Sequence, residues 1–548
     1  MKQLNRQQQQ IQQKILYRMK MQNREILATR RINPLHNVVL EAGRIEIHPV
    51  QLIEFESRGR LLIIGSSEAI SAVAPHCQTL TITALVSDAA TVSAEEVSVL
   101  AGELTGLTGW LGEFDAIISG QMLRFDLVLD LSDSSILKQK VSPLGYFAPG
   151  DNQQALAEAL QQLPDLIGVF DKPRYFQYKP TICAHSRRGI NGCNQCLEAC
   201  PAEAVSHAGD EVRVDPNLCQ GCGSCVAVCP SGAMNYALPT LDVSLERLRS
   251  MLQQYDELES LPPHILIHDE SNAQTLLEMR GHELTDDVIT FSIEEIGALS
   301  MPFWLAAIAY GASGVTVWDA LTHDDHDWLE LQQQMQLSNE LLNGMGYPAA
   351  IHWHQGNDFT ALQTHLKQLS KTDAAAPGRF AGMDNKRRVS TLALSHLYEH
   401  APAPQAEIKL EKPAPFGEIL VDKQACTLCM SCVSVCPVGS LVDGVDKPQL
   451  NFIEDLCVQC GICETACPEN AITLSPRYLY QRDQARQKRV LHEEAIFHCI
   501  SCAKPFATQK MIDTITEKLK DHHMFQGAAL EQLKMCEDCR VKAMFKKG

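Results

Sequence analysis

Two parts of the chain alternate apolar segments with short turns, in the pattern of α/β domains. Residues 51–165 contain RLLIIG, LTITALV, FDAIISG and FDLVLDLS, and a Gly–Ser turn after the first segment leads into a predicted helix. Residues 241–365 repeat the pattern with HILIHD, VITFSI, VTVW and AAIHWH. Both parts are therefore predicted to fold as α/β domains.

The most apolar run, Ile296–Trp318, has a length that suits a membrane span. However, Pro302, Gly311 and Gly314 interrupt it, and its last residues, VTVW, have the composition of a strand. We therefore predict a buried helix followed by a parallel strand, and no transmembrane segment.

Two further segments differ from the α/β parts in composition. Residues 1–50 form a basic, Gln-rich extension, in which we expect no secretory signal. Apolar residues between Ile11 and Ile26 can share one helix face, so a docking or membrane-surface helix is the alternative to a solvated extension. Residues 366–413 are rich in Ala and Pro and are predicted to form a semi-extended linker.

Composition and charge narrow the classes of function. The chain has 548 residues, 45% of them hydrophobic, and a formal net charge of −19. This acidity argues against nucleic-acid binding, which requires a basic face. The 21 cysteines are grouped in tight clusters, which favours metal ligation in a reducing compartment over disulfides. We therefore expect a cytoplasmic metal-binding protein.

Three segments share the spacing C-x2-C-x2-C-x3-C-P, and they are 219–230, 426–437 and 457–468. A fourth segment, GCNQCLEACP, has the last three cysteines of the motif, but Ile190 occupies the place of the first. The motif resembles that of bacterial two-[4Fe–4S] ferredoxins. The resemblance implies two ferredoxin-like modules, at 176–240 and 414–476, each with two [4Fe–4S] clusters.

The resemblance also implies a set of ligands for each cluster. In such ferredoxins three closely spaced thiolates bind one cubane, and the fourth cysteine of the motif binds the other cluster of the pair. Cluster one then takes Cys183, Cys193, Cys196 and Cys229, and cluster two takes Cys200, Cys219, Cys222 and Cys225. Cluster three takes Cys426, Cys429, Cys432 and Cys467, and cluster four takes Cys436, Cys457, Cys460 and Cys463.

Cys183 replaces the missing first cysteine in this assignment, although it lies ten positions upstream of Cys193. The segment between them contains Gly189 and Gly192, whose conformational freedom lets the loop bulge outward. We predict an intact cluster with an enlarged loop. The alternative is a [3Fe–4S] or labile cluster.

The C-terminal segment 477–548 carries a different cysteine pattern. Two C-x2-C pairs, Cys499/Cys502 and Cys536/Cys539, flank a helical sequence and lack the Cys-Pro of the ferredoxin motifs. Such pairs suit a tetrahedral four-thiolate site, and structural Zn²⁺ is the predicted metal. A fifth [4Fe–4S] cluster or single iron, and free thiols, are the alternatives.

Two wider resemblances concern the rest of the chain. The segment FSIEEIGALSMPFWLAAIAYGASGVTVW, within 241–365, is similar to the small delta-subunit domain of methyl-viologen-reducing hydrogenases. That likeness implies the fold but not the metal site, because the segment lacks the cysteines that hold the metal in that family. The whole chain resembles proteobacterial multi-cluster ferredoxin-like proteins, some of them encoded near formate dehydrogenase components. This resemblance implies partner redox proteins, with formate dehydrogenase components as candidates.

The predicted fold class is α/β plus α+β, with two ferredoxin-like modules alternating with two α/β domains before a small C-terminal four-cysteine domain. We expect an electron carrier of the polyferredoxin type, or an oxidoreductase subunit, rather than a stand-alone enzyme. One alternative places a nucleotide or flavin in 51–165, although only Gly65 stands where G-x-G-x-x-G has three glycines. Another is a non-redox scaffold with structural clusters.

Overall fold

The computed structural model describes ten stretches of the chain, and they are residues 50–87, 97–256, 261–270, 273, 277, 283–320, 328–369, 376–383, 385–445 and 447–545. All 21 cysteines lie within these ranges. The extension predicted over 1–50 lies outside the described residues except for residue 50, so both of its alternatives remain predictions.

The N-terminal α/β part is built on a parallel sheet. Its elements are β1 (Leu52–Ser57), β2 (Arg60–Gly65), α1 (Ser67–Val73), β3 (Thr81–Val86), β4 (Ser98–Leu100), β5 (Leu104–Thr108), β6 (Phe114–Ile118), β7 (Gln121–Phe125), β8 (Leu127–Asp130), β9 (Tyr146–Phe147), α2 (Gln153–Gln162) and β10 (Gly168–Pro173). Five strands pair in the order β4–β3–β2–β8–β9, all parallel. The predicted strand FDAIISG lies instead in an antiparallel sheet, β5–β6–β7.

The apolar run of β2 is continuous because both faces of the parallel sheet are covered. Leu61 and Ile63 lie in one core, whereas Leu62 and Ile64 lie in a second core. Successive residues of a strand point to opposite faces, so a strand buried on both sides shows no polar alternation.

The first cysteine-rich part consists of short strands and short helices. Its elements are β11 (Phe176–Tyr178), β12 (Ser186–Arg187), β13 (Ile190–Asn191), α3 (Gln195–Glu198), β14 (Val205–Ala208), β15 (Glu211–Val214), α4 (Ser224–Val228) and β16 (Met234–Tyr236). Strand β11 pairs with β16, and β14 pairs with β15, both antiparallel. The β12–β13 hairpin lies between Cys183 and Cys193, so the loop predicted there has regular structure.

The second α/β part contains a four-stranded parallel sheet in the order β18–β17–β19–β20. Its elements are α5 (Leu241–Asp256), β17 (His264–Asp269), β18 (Val288–Ile293), α6 (Met301–Ala309), β19 (Gly314–Asp319), α7 (Leu329–Asn343), β20 (Ile351–Gln355) and α8 (Phe359–Gln368). All nine residues of α6 are buried. The prediction of a buried helix followed by a parallel strand is therefore confirmed. Within the described ranges, no helix is both long and apolar enough to cross a bilayer.

The segment predicted as a semi-extended linker, 366–413, contains helix α9 (Lys386–Glu399). Val389, Ala393 and Leu397 recur every four residues on one side of this helix and are completely buried. They pack α9 against α6. The Ala- and Pro-rich flanks concealed this helical periodicity in the sequence, and α9 belongs to the core.

The second cysteine-rich part shares a core with the elements that precede it. Its elements are β21 (Glu407–Lys409), β22 (Gly417–Val421), α10 (Ser431–Val435), β23 (Leu441–Asp443), β24 (Gln449–Phe452), α11 (Ile462–Thr465), β25 (Ile472–Leu479), α12 (Arg482–Arg486) and β26 (Arg489–Glu493). The Tyr480 hydroxyl donates to the Leu341 carbonyl of α7 at 2.6 Å. One hydrophobic core runs from Tyr175 to Tyr480, so this part is packed onto the second α/β part.

The C-terminal part carries the two remaining cysteine pairs. Its elements are β27 (Ile496–His498), β28 (Pro505–Thr508), α13 (Gln509–Leu519), α14 (Ala528–Gln532) and α15 (Glu537–Phe545). Across all parts the chain mixes helices and strands, in agreement with the predicted class, while the division into seven domains remains a prediction.

Candidate metal centres

The four cysteines assigned to cluster one lie together. Burial, with smaller contributions from charges on Cys229 and Cys183, raises the pKa of Cys193 to about 12. Burial and the same neighbours, together with Cys193, raise the pKa of Cys196 to about 12. Buried thiols this resistant to ionisation become thiolates when a metal binds them.

Cys183 joins this group because main-chain hydrogen bonds close the hairpin between the two cysteines. The Cys193 N–H donates to the Ala184 carbonyl at 2.9 Å, which brings the ends of the loop together. The Cys183 side chain also lies beside the Tyr178 hydroxyl, whose pKa is raised mainly by burial. The ten-residue separation in sequence is therefore no obstacle to ligation of a shared cluster.

Asp210 holds the tip of the hairpin. Its carboxylate accepts main-chain N–H groups of Arg188 at 2.8 Å and Gly189 at 3.0 Å, and the Ser186 hydroxyl at 3.0 Å. These hydrogen bonds lower the pKa of Asp210, and the bond from the Gly189 N–H contributes most. The sequence pattern contained no signal for this contact, because Asp210 belongs to the turn between β14 and β15.

The cysteines assigned to cluster two form a second buried group. Burial, with charges on Cys200 and Cys219, raises the pKa of Cys222 to about 12. Burial and the charges of Cys219 and Cys222 raise the pKa of Cys225 well above its usual value. Cys200 thus lies with the cysteines of the following motif, while Cys229 of that motif lies near the preceding one, which is the exchange typical of two-cluster ferredoxins.

The second cysteine-rich part contains two cavities, each lined by four cysteines. The first is lined by Cys426, Cys429, Cys432 and Cys467. The second is lined by Cys436, Cys457, Cys460 and Cys463. Each set again combines three cysteines of one motif with the fourth of the other. Apolar side chains such as Leu450 and Phe452 line the remaining walls, and cavities of this composition fit iron–sulfur clusters.

Main-chain N–H groups point at the sulfur of the fourth cysteine in every motif. The donor–acceptor pairs, each with N···S of 3.3 Å, are Ala204–Cys200, Met234–Cys229, Ser440–Cys436 and Ala471–Cys467. Hydrogen bonds to sulfur stabilise thiolate charge and influence cluster potential. In three motifs the donor is the small residue four positions after the cysteine, and in the other it is Met234, five positions after Cys229.

The C-terminal cysteines are packed much more tightly than the sixteen others. The sulfurs of Cys499, Cys502, Cys536 and Cys539 all lie within 4.8 Å of one another, and Cys502 and Cys536 are 3.6 Å apart. Two thiolates on one tetrahedral Zn²⁺ with Zn–S bonds of about 2.3 Å are separated by about 3.8 Å. Among the described residues, the other cysteines form no group this compact. The spacing therefore fits a single metal ion here.

Hydrogen bonds already favour thiolate at this C-terminal site. Desolvation opposes ionisation of Cys499, but main-chain N–H groups, including those of Cys536 and Ser501, outweigh it and lower its pKa to about 6. A tetrahedral metal site needs such deprotonated sulfurs. One further compact group, His396, Glu399 and His400, lies at the surface of α9.

The four thiol groups of the two modules follow one another in a row. Cys196 and Cys225 are electrostatic neighbours, as are Cys432 and Cys463, so the two groups within each module are adjacent. Between modules, the charge on Cys460 contributes to the pKa of Cys193. The order is therefore group two, group one, group four, group three.

Comparison with known proteins identifies the type of centre. The model of a 4Fe-4S dicluster domain matches residues 191–233, and 4Fe-4S binding domains match 419–441 and 450–473. An uncharacterised ferredoxin of Methanocaldococcus jannaschii is 32% identical over 74 residues, which make up 13% of this chain and 96% of that protein. The chain belongs to the ferredoxin family.

This ferredoxin has further relatives among short bacterial proteins. The 7Fe ferredoxin of Hydrogenibacillus schlegelii is 45% identical over 42 residues, covering 8% of this chain and 51% of that protein. Ferredoxin-1 of Caulobacter vibrioides is 44% identical over 50 residues, covering 9% and 42%. The matches show a multi-cluster protein that binds 4Fe-4S clusters and functions in iron–sulfur electron transfer. The dicluster match starts at residue 191 and does not include Cys183.

Proposed function

We propose that this ferredoxin is a polyferredoxin-like relay that passes single electrons through four [4Fe–4S] clusters between partner redox proteins in the cytoplasm. When bound, each cluster accepts and releases one electron with little rearrangement. The protein would hold the clusters with the sixteen cysteines assigned above, exclude water with apolar walls, and donate N–H groups to the sulfurs.

The observation that carries this proposal is the contact between β13 of the first module and α11 of the second, which brings Cys193 near Cys460. Without it, the two modules would be separate two-cluster carriers. With it, four neighbouring thiol groups form an uninterrupted row, and a long transfer is divided into short steps. The cysteines of the first module pack against the core that runs from Tyr175 to Tyr480, whereas those of the second module lie in a core of their own.

Iron and sulfide analysis of anaerobically prepared protein tests the number of clusters. Four cubanes require about 16 irons per chain and as many sulfides. EPR of the dithionite-reduced protein should show several reducible clusters. Two cubanes or fewer would exclude the relay, and clusters that none of the accessible reductants reduce would favour the structural scaffold.

The proposed partners include formate dehydrogenase components, and the basis for this proposal is the resemblance of the whole chain to multi-cluster proteins encoded near them. Affinity purification under anaerobic conditions, followed by mass spectrometry, identifies bound oxidoreductases. Recovery of a formate dehydrogenase subunit, and formate-dependent bleaching of the clusters in the reconstituted mixture, is the expected result.

The turn after β2 does not support the alternative in which 51–165 binds a nucleotide or flavin. A Cβ at Gly65 would lie 3.0 Å from the Leu131 Cβ, so close packing accounts for this glycine. We therefore propose a scaffold role for this α/β part. Reduction of the clusters in the isolated protein by NADH or NADPH would contradict it.

A further inference from the structure

Four cations lie against the four cluster sites, one at each site. Each donates to the main-chain carbonyl of a cysteine assigned to a different cluster. The pairs are Lys172–Cys219 at 2.9 Å, Lys386–Cys229 at 3.3 Å, Arg387–Cys457 at 2.7 Å and Lys510–Cys426 at 3.1 Å. In the order of the row, these pairs belong to clusters two, one, four and three.

None of these cations belongs to a cysteine motif. Lys172 lies in β10 of the N-terminal part, and Lys510 lies in α13 of the C-terminal part. Lys386 and Arg387 are the first two residues of α9, the helix within the predicted linker. Each part that flanks the ferredoxin modules therefore contributes a positive charge to a cluster site.

The two cations of α9 serve the two clusters that meet at the contact between modules. Lys386 is buried, with 8% of its surface exposed, and its ammonium also donates to the carbonyls of Val226 and Ala227, the latter at 2.8 Å. Arg387 is partly buried and donates to the carbonyls of Asp455 at 3.0 Å and Pro415 at 2.8 Å. One helix start thus holds both modules.

Lys386 donates to main-chain carbonyl groups, whereas Arg387 has the Asp455 carboxylate as a charge neighbour, although that carboxylate pairs with Arg482. Within the described part of the chain, neither Lys386 nor Arg387 forms a salt bridge with Asp or Glu. Carbonyl oxygens satisfy the N–H groups but supply no opposite charge, and a desolvated cation without a counter-ion costs several kcal/mol. The cysteines assigned to the clusters therefore supply the counter-charge of Lys386, and they share this role with the Asp455 carboxylate at Arg387.

We propose that Lys386 and Arg387 are positioning residues that raise the reduction potentials of clusters one and four, where the two modules meet. The proposal rests on the relay described above. It adds that two cations set the reduction potentials at the step between the two modules. Reduction adds negative charge to a thiolate-bound cluster, so a fixed cation beside it stabilises the reduced form more than the oxidised form. Lys172 and Lys510 act in the same way on clusters two and three.

Substitution of each cation by an uncharged side chain tests the proposal. Lys386→Met and Arg387→Gln should lower the potential of one cluster each, measured by redox titration followed by EPR on protein with the iron content of the wild type. The expected shift is at least tenfold in the one-electron equilibrium constant, about 59 mV. Arg387→Lys, which keeps the charge, should retain most of the wild-type potential.

Arg388 provides the matched control, because it is the next cation of the same helix and is exposed, and among the described residues its guanidinium contacts the Met383 sulfur. Arg388→Gln should leave every potential unchanged. If Lys386→Met loses iron, a comparison of the reduction potentials of Arg387→Gln and Arg387→Lys still tests the proposal. Unchanged potentials in Arg387→Gln with full iron overturn the proposal. Two cubanes or fewer in the wild type would instead overturn the relay itself.

Discussion

Gly192 and Ile462 touch where the two cysteine-rich modules meet. A Cβ at position 192 would lie 2.2 Å from the Ile462 Cγ1 and 2.7 Å from the Ala184 carbonyl oxygen. Ile462 is fully buried at the start of α11, next to Cys463 and two residues after Cys460. The absence of a side chain at Gly192 therefore permits the close approach of the modules.

Gly192→Ala is expected to destabilise this contact by about 1–3 kcal/mol, the usual range for overpacking. Calorimetry measures the loss of stability, and EPR of the reduced protein should show weaker magnetic coupling between clusters of the two modules. The double variant Gly192→Ala/Ile462→Ala should regain part of the lost stability. In it the clash with Ile462 disappears, while the clash with the Ala184 carbonyl remains. Strictly additive effects, within about 0.5 kcal/mol, would mean that the two residues are independent.

Cys183→Ala is expected to remove one cluster or convert it to a three-iron form, because Cys183 is the only cysteine available to replace the missing first ligand near Cys193. Iron analysis and EPR of the oxidised protein measure this change. Cys77→Ala is the control, since Cys77 is a buried thiol in the N-terminal core and far from the cysteine motifs in sequence. Full iron content and unaltered spectra in Cys183→Ala would show that this cysteine is not a ligand.

Cys536→Ser is expected to abolish binding of one Zn²⁺ per chain while leaving the iron content unchanged. The four sulfurs at this site are close enough for a single tetrahedral ion, and removal of one ligand opens the coordination shell. Metal analysis of wild type and variant distinguishes the ions. A loss of iron instead of zinc would assign an iron centre to the C-terminal part.

Asp126→Asn is expected to destabilise the N-terminal sheet by about 2 kcal/mol at neutral pH. The buried Asp126 carboxylate accepts main-chain N–H groups of Arg58 and Arg60, both at 2.9 Å, and pairs with the Arg60 guanidinium. Burial by itself would raise the pKa of Asp126, but these hydrogen bonds and the ion pair outweigh burial, so the pKa is lowered. Hydrogen exchange of the β2 amides measures the effect.

The pH dependence of this contribution follows from the direction of the shift. Because the pKa of Asp126 is lower in the folded state, the stabilisation is present above the unfolded value and disappears as the pH falls through the folded value. The difference between wild type and Asp126→Asn should therefore vanish in acid. Asp115→Asn is the control, since its partner Arg124 is half exposed and surface ion pairs contribute little.

Local patterns in the sequence predicted the chemistry of the sites well, but not all of the surrounding structure. The C-x2-C-x2-C-x3-C-P spacing places ligands within a few residues of each other, so short-range geometry carries the information. The run Ile296–Trp318 was also predictable, because Pro302 and two glycines divide it. Helix α9 was missed, since its apolar positions lie between Ala- and Pro-rich flanks that dominate the composition.

The sequence by itself determined that this protein binds iron–sulfur clusters, because thiolates at these short spacings suit few other cofactors. It also identified Cys183 as the candidate that replaces the missing first cysteine of the motif. Only the tertiary structure decided which modules touch and which cations lie at the cysteines. Gly192 meets Ile462, and Arg387 meets Cys457, across long stretches of chain. Such contacts depend on how whole elements pack against a shared core, and no local pattern of residues encodes them.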